Sequence, residues 1–367
     1  MGYTAMKGGL DAIKSAERLV VERGLDSEGR TIETARVASG MSLGVDRVMS
    51  EGGLYDPSAA AVALVQAEGD LHEASFMVRA YRSTLPRVAY SLPTNTSEMR
   101  VLRRITPAFQ SAPGGQLLGE TRDFSQRLLD WRIAGGEPTA VPSDATPTHL
   151  PDSELPKFTR IADLLRGEGL LPEPLEESLE PDDITRAPIV FPASRSAKLQ
   201  TLARGETGSI VAFGYSAMRG YGAFVHGTIA ELRVGMIPLR IRHPYTGQPV
   251  TVGEVKVSEC EEFTISPHRK SDVADVEKFA LGYGLVFGQN ERKAIAMAML
   301  DRQLADGVGG LAAQEEFVLM HIDGIEATGF VEHLKLPHYV EFQSILQGMR
   351  RRRDRDLAAA EPAGALS

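Results

Sequence analysis

Between about Gly208 and Ile265 the chain passes through three β-prone runs, SIVAFGYSA, GTIAELRVGMIPLRIR and VTVGEVKVSECEEFTI, separated by proline and glycine. Runs rich in β-branched and aromatic residues and punctuated in this way read as antiparallel strands. The rest of the chain has to be arranged around such a sheet, and most of it is helical. Residues 10–23 repeat apolar positions at helical spacing after a tight turn at Lys7-Gly8-Gly9. A second helix is expected from about Ile32 to Met49, stopping at Gly52-Gly53. Asp56-Pro57 is a cap followed by a first-turn proline, and it opens the helix-favouring SAAAVALVQAE. Gly69-Asp70 interrupts that helix, and another runs to about Ser83. Beyond the sheet a long helix is expected from about Asn290 to Ala305, and an Arg-rich helix closes the chain. The fold class is α+β: a helix-rich N-terminal part, an antiparallel β region in the middle and a helical C-terminal part.

At 367 residues the chain is long for one ordinary core. Proline and small polar residues crowd residues 135–157, and a second such stretch, LLPEPLEESLEPDD, covers 170–183. These suggest a helical region over 1–134, a Pro/acid-rich linker with a short helix over 135–183, and a mixed α+β region over 184–367. The net charge of −9 argues against a general nucleic-acid binder, which needs a basic face to displace counterions. No apolar run approaches the ~18 residues of a membrane span, and MGYTAMKGGLDAIKSAERL lacks the apolar core of a signal peptide. The expected location is the cytoplasm. The single cysteine, Cys260, excludes an internal disulfide framework and an iron–sulfur cluster built by this chain alone. In VKVSECEEF it reads as an ordinary strand residue, because the two glutamates that follow oppose a thiolate.

Four stretches have residues suited to chemistry. His333 and His338 stand five apart in HLKLPH, which on an α-helix would turn them about 140° away from each other. Pro337 should end or kink the helix and let His338 swing back toward His333. Two imidazoles suit an open metal site or one completed by a partner chain; the alternative is a helix end with two half-exposed polar residues. In LGYGLVFGQNERKA, Gly282, Gly284 and Gly288 precede a helix start flanked by Arg292 and Lys293. That arrangement either presents amides to a phosphate or merely permits a tight turn. PDDITRAPIVFPASRS combines Asp182 and Asp183 with Arg186, Arg195, Ser194 and Ser196. Guanidinium groups there could hold phosphate oxygens and a carboxylate could face a cationic sugar transition state, or the charges could satisfy one another in a surface loop. Arg219 in YSAMRGYG reads as a cation on a glycine-flanked turn after a strand, and MRRRRDRD at 349–356 reads as a solvated helix end.

In order along the chain, KGG (7–9), GVDRVMSEGG (44–53), RAYRSTLPR (79–87), PGGQLLG (113–119), PDDITR with FPASRS (181–196), YSAMRGYG (215–222), GYGLVFGQNERKA (282–294), EEFVL (315–319) and GFVEHLKLPHYVEFQ (329–343) resemble the PhnI family, subunit I of the carbon–phosphorus lyase core complex. The resemblance implies a subunit for phosphonate catabolism, an α-D-ribose 1-methylphosphonate 5-triphosphate synthase subunit. With its partners it would replace adenine of ATP by an alkylphosphonate, giving α-D-ribose 1-alkylphosphonate 5-triphosphate. Alone it would release the base as a purine nucleosidase, with ATP or GTP as substrate. Subunits G, H and J and ATP-binding-cassette-type subunits would be its partners. His333 and His338 would then hold a divalent metal, zinc first among candidates, near the interface with subunit J. For this chemistry Asp183 is the candidate carboxylate near the ribose, and Arg186, Arg195, Arg219 and Lys293 are the candidate anion-binding residues. Two alternatives stand beside this expectation: a non-catalytic, metal-carrying scaffold subunit, and a metal-dependent phosphohydrolase.

Overall fold

The computed structural model describes residues 9–25, 28–135, 157–173, 180–219, 227–265, 278–307 and 310–360. The turn at Lys7-Gly8, most of the linker, residues 174–179 and the segment after Arg219 lie outside them. The chain divides into two compact units, Met1–Gly324 and Ile325–Ser367.

The first unit opens with α1 (Leu10–Arg23), α2 (Thr34–Gly40), α3 (Ser42–Gly52), α4 (Pro57–Gln66) and α5 (Leu71–Thr84). The expected caps form. Asp56 accepts from the amides of Ser58 and Ala59 with Pro57 in the first turn, and Asp70 accepts from His72 and Glu73. Between these two helices Gly69 takes φ +88°, which lets the chain reverse. Val45, Val48, Met49, Ala60, Leu64, Ala74 and Val78 recur at helical spacing and form the core of this bundle.

The sheet consists of β1 (Arg100–Ile105), β2 (Thr228–Arg242), β3 (Pro249–Ile265) and β4 (Phe279–Phe287), in that spatial order and antiparallel throughout. Between β1 and β2 lie α6 (Ile161–Gly167), α7 (Arg195–Arg204) and α8 (Thr207–Arg219). After the sheet come α9 (Glu291–Asp306) and α10 (Glu315–His321). Strand pairing gives β3 two unlike faces. Ser258 and Cys260 lie on the side of α9, where Cys260, Leu232 and Val286 join Ala294, Met297, Ala298 and Leu300 in one cluster. Val257, Glu259, Glu261 and Phe263 lie on the other.

Three expectations need correction. The single helix expected from about Ile32 to Met49 is two, α2 and α3, broken at Met41 (φ −119°, ψ 36°). SIVAFGYSA belongs to α8, not to a strand. Its buried residues Ile210, Gly214 and Ala217 are spaced by four and three, a helical period, and Gly214 lets α8 approach Ala296 of α9 closely. Arg219 is therefore the last residue of a helix. Gly282 and Gly284 are not in a loop before α9 but inside β4, pointing at its backbone: a Cβ at either would collide with the carbonyl oxygen of Ala298 or Ala294. Their role is close strand–helix packing. Only Gly288, at φ +72° and against Asp46, serves the turn into α9.

The second unit contains the end of α11 (Gly324–Glu332), a 3₁₀ turn at His333–Lys335 and α12 (Tyr339–Ala360). Leu336, before Pro337, is extended (φ −81°, ψ 159°), as a residue preceding proline must be to avoid its ring. Among the described residues no helix is long and apolar enough to cross a membrane.

Candidate functional site

The PDDITR turn is pinned to the start of α7. Ser194 caps α7 by accepting from the Ala197 amide, 3.1 Å. The hydroxyls of Ser194 and Ser196 both donate to the Asp182 carboxylate, and the Asp182 amide donates to Ser196 Oγ at 3.0 Å. Arg195, between the two serines, turns to Asp301 of α9 (Nη2 to Oδ2, 2.7 Å), whose carboxylate also accepts from the Tyr283 amide. The structure thus brings Asp183 and Arg186 together on one pinned segment, while Arg195 at the start of α7 is directed to Asp301.

Asp183 meets groups that the sequence analysis did not assign. Its carboxylate accepts from Arg87 Nη1, from the Thr185 hydroxyl (2.5 Å) and amide (3.0 Å), and from Tyr90 Oη (3.3 Å). Arg186 Nε lies 4.0 Å away. The Thr185 hydrogen bond, ahead of the Arg87 guanidinium, holds the Asp183 carboxyl well below the usual carboxylate range although burial works against it. Arg87 and Arg186 both lie over the Tyr90 ring, at 4.7 and 5.7 Å from its centroid. The RAYRSTLPR motif supplies this side of the cluster, and its three arginines were the available signal.

The other candidates lie apart. Arg219 donates to Tyr215 Oη, 2.7 Å, one turn back on α8. Lys293 is 0% exposed, and its ammonium donates to Ser50 Oγ at 2.9 Å. Around it, Glu51 accepts from Arg47 and Thr207, and Glu206 accepts from Arg47 and from the Gly208 and Ser209 amides at the start of α8. Lys293 is thus an internal cation joining α3 to α9.

In the second unit the proline break brings the rings of His333 and His338 to 5.1 Å between centroids. Nδ1 of His333 faces the Phe330 carbonyl, and Nδ1 of His338 faces that of Leu336 at 2.6 Å. A carbonyl only accepts, so each Nδ1 carries a proton, and in the neutral ring Nε2 is the nitrogen left to bind a metal. This donor set fits two ligands of a divalent cation. Among the described residues no group of three or more His, Cys, Asp or Glu is gathered, so further ligands would come from elsewhere.

The sheet face opposite α9 holds a buried charged band. Arg104 pairs with Glu231, Arg233 with Glu259, and Arg160 with Glu261, while Tyr283 Oη donates to Glu259 at 2.9 Å. Burial pushes Glu261 up to about 7, with Arg160 opposing and Glu259 adding to the shift. Between the ordinary value of 4.5 and about 7, folded protein keeps a proton that the unfolded chain has released, so this group's contribution to stability falls as pH rises through that window. Lys293 behaves oppositely. Burial pushes it down from 10.5 to about 7, so the unfolded chain binds the extra proton and its contribution rises between those values. In thermal denaturation the stability of Glu261→Gln relative to wild type should therefore rise across the first window. That of Lys293→Met should fall across the second. Parallel pH profiles for variant and wild type would contradict either assignment.

Comparison with known proteins accords with the motif order. Residues 2–356 match the family model described as "Bacterial phosphonate metabolism protein (PhnI)". A protein of Stutzerimonas stutzeri named "Putative C-P lyase subunit protein HtxH" is 45% identical, covering 100% of both chains. Proteins named "Alpha-D-ribose 1-methylphosphonate 5-triphosphate synthase subunit PhnI" are 42% identical in Rhizobium meliloti strain 1021, covering 98% of this chain and 97% of that one, and 44% identical in Escherichia coli K12, covering 95% and 98%.

Proposed function

Because the chain belongs to the PhnI family of bacterial phosphonate metabolism proteins, we propose that it is the subunit of the carbon–phosphorus lyase system that takes part in exchanging the adenine of ATP for an alkylphosphonate. The bond from ribose C1 to the purine nitrogen breaks, a bond from C1 to a phosphonate oxygen forms, and the base leaves with a proton. The observation that best supports a part in this chemistry is the Asp183 cluster. A carboxylate kept ionised by Thr185 and Arg87 can face positive charge developing at C1, and it cannot be the proton donor. Arg186 stands beside it, and Arg195, paired with Asp301, would add a second cation from the start of α7 for phosphonate or phosphate oxygens. Arg219 would serve as an outlying anion contact, and Lys293 would act from inside the core. His333 and His338 would hold a divalent cation, zinc first, through their Nε2 atoms; such a cation supplies Lewis acidity toward phosphonate oxygens. The reading includes subunits G, H and J and ATP-binding-cassette-type subunits as partners, and base release by this chain alone when no phosphonate is present.

The test is chromatography of the purified chain incubated with ATP or GTP. Free adenine or guanine beside ribose 5-triphosphate is the expected result. Phosphate release without free base would indicate a phosphohydrolase. Release of neither, repeated with partners and a phosphonate, would leave a scaffold.

A further inference from the structure

We infer that Arg82, Arg87 and Arg186, gathered about Tyr90 and Asp183, form a receptor for an oligophosphate chain; as a site for the substrate's triphosphate it rests on the reading just given. The charge balance carries the argument. In the sheet band each buried guanidinium has its own carboxylate: Arg104 with Glu231, Arg233 with Glu259, Arg160 with Glu261. That is how a network built only to hold itself together is satisfied.

The cluster at the end of α5 is not balanced. Arg87 and Arg186 share the single carboxylate of Asp183, and Arg82 stands near enough to feel the charges of Arg87 and Asp183. Arg87 is committed to it and to Thr185 Oγ1 (3.0 Å), whereas Arg186 only approaches it at 4.0 Å and has a side chain 61% exposed. The Arg82 guanidinium makes no hydrogen bond or ion pair among the described residues. Its proton affinity is lowered first by burial and then by the like charge of Arg87, with Arg79 adding to the repulsion and Asp183 opposing it. The neighbouring Asp182 makes no guanidinium contact, because its carboxylate is turned to the hydroxyls of Ser194 and Ser196. Even with its charge counted, the cluster keeps an excess of positive charge.

Position is fixed as well as charge. Arg87 and Arg186 are both laid on the Tyr90 ring, whose hydroxyl is in turn aimed at Asp183. Guanidinium forks held in this way match the paired oxygens of phosphoryl groups, and several of them in one cluster suit an anion with more than one phosphoryl group. A nucleic acid backbone is a poor fit for a chain of net charge −9.

The test is calorimetric titration of inorganic tripolyphosphate into the full chain, or into the complex in which it purifies. Wild type is expected to bind. Arg82→Gln and Arg186→Gln are each expected to weaken binding by about tenfold, the loss of one charge-assisted contact. Arg82→Lys should recover part of the loss, and Arg351→Gln in the C-terminal helix should change nothing. Arg82 has no partner to lose, so Arg82→Gln should melt with wild type, separating a binding defect from a folding one. No binding by wild type, or binding by Arg82→Gln and Arg186→Gln as tight as that of wild type, overturns the receptor. Arg82-dependent binding with no base release under any condition keeps the receptor and removes the proposed reaction. Base release with an Arg82→Gln KM for ATP equal to wild type keeps the reaction and removes the receptor.

Discussion

Arg104→Ala is expected to cost the fold about 3–5 kcal/mol, the penalty of stripping one partner from a buried ion pair. Arg104 is 0% exposed and donates to Glu231 and to the carbonyls of Pro113 (2.8 Å), Gly115 (2.6 Å) and Thr159 (3.3 Å). Its guanidinium also stacks on Phe158 at 4.6 Å. Without it, Glu231 keeps the amide of Ile161 at 3.2 Å but loses its cation, and three carbonyls lose a donor. Urea denaturation measures the loss directly. The paired substitution Arg104→Met with Glu231→Leu should recover much of it, because no uncompensated charge remains. A loss below about 1 kcal/mol for Arg104→Ala would place this pair with exposed ones and contradict its burial.

Asp183→Asn is expected to slow base displacement by about 10²–10³-fold, the usual effect of removing one group that meets charge in the transition state. Asparagine keeps the size of the side chain and can still accept from Thr185, so the turn should persist while the negative charge goes. The KM for ATP should move little, because the triphosphate is assigned to arginines and not to this carboxylate. Steady-state kinetics on the assembled complex separates the two parameters. With the carboxyl already held low by Thr185 and Arg87, wild type should show no limb from this residue in the range around pH 4 where ordinary aspartates titrate. Unchanged kcat in Asp183→Asn would reduce Asp183 to an anchor for Arg87.

The parts legible in the sequence were those carried by local signals. Asp56-Pro57 and Gly69-Asp70 mark helix boundaries because a cap is a contact within three residues. The 228–265 hairpin was legible from its alternation, which also aligns Glu259 and Glu261 on one face. Residues 209–217 misled because Val211, Phe213 and Tyr215 favour strands, whereas the buried trio Ile210, Gly214 and Ala217 follows the helical period. Gly282 and Gly284 misled for a related reason: a glycine needed for close approach looks like one needed for a turn until the neighbouring helix is in place. For the site, the pinning of PDDITR to FPASRS was within reach, twelve to fourteen residues apart. Arg87 meets Asp183 across 96 residues, and Arg104 meets Glu231 across 127. No periodicity encodes contacts of that span.

The charged band also bears on how the β2–β3 hairpin finds its pairing. Its two strands are long, 15 and 17 residues, and the apolar alternation of Val255 and Val257 alone would tolerate more than one alignment. In the native alignment Arg233 stands opposite Glu259, and Glu231 stands opposite Glu261. A shift by one residue would turn Glu259 and Glu261 toward α9 and set them against alanine and methionine side chains, with Arg233 left behind on the other face. A shift by two would keep the face but place Arg233 opposite Glu261 and leave Glu259 without its cation. The glutamates and arginines therefore act as a proofreading device for strand alignment, penalising misregistered hairpins that the valines alone would accept.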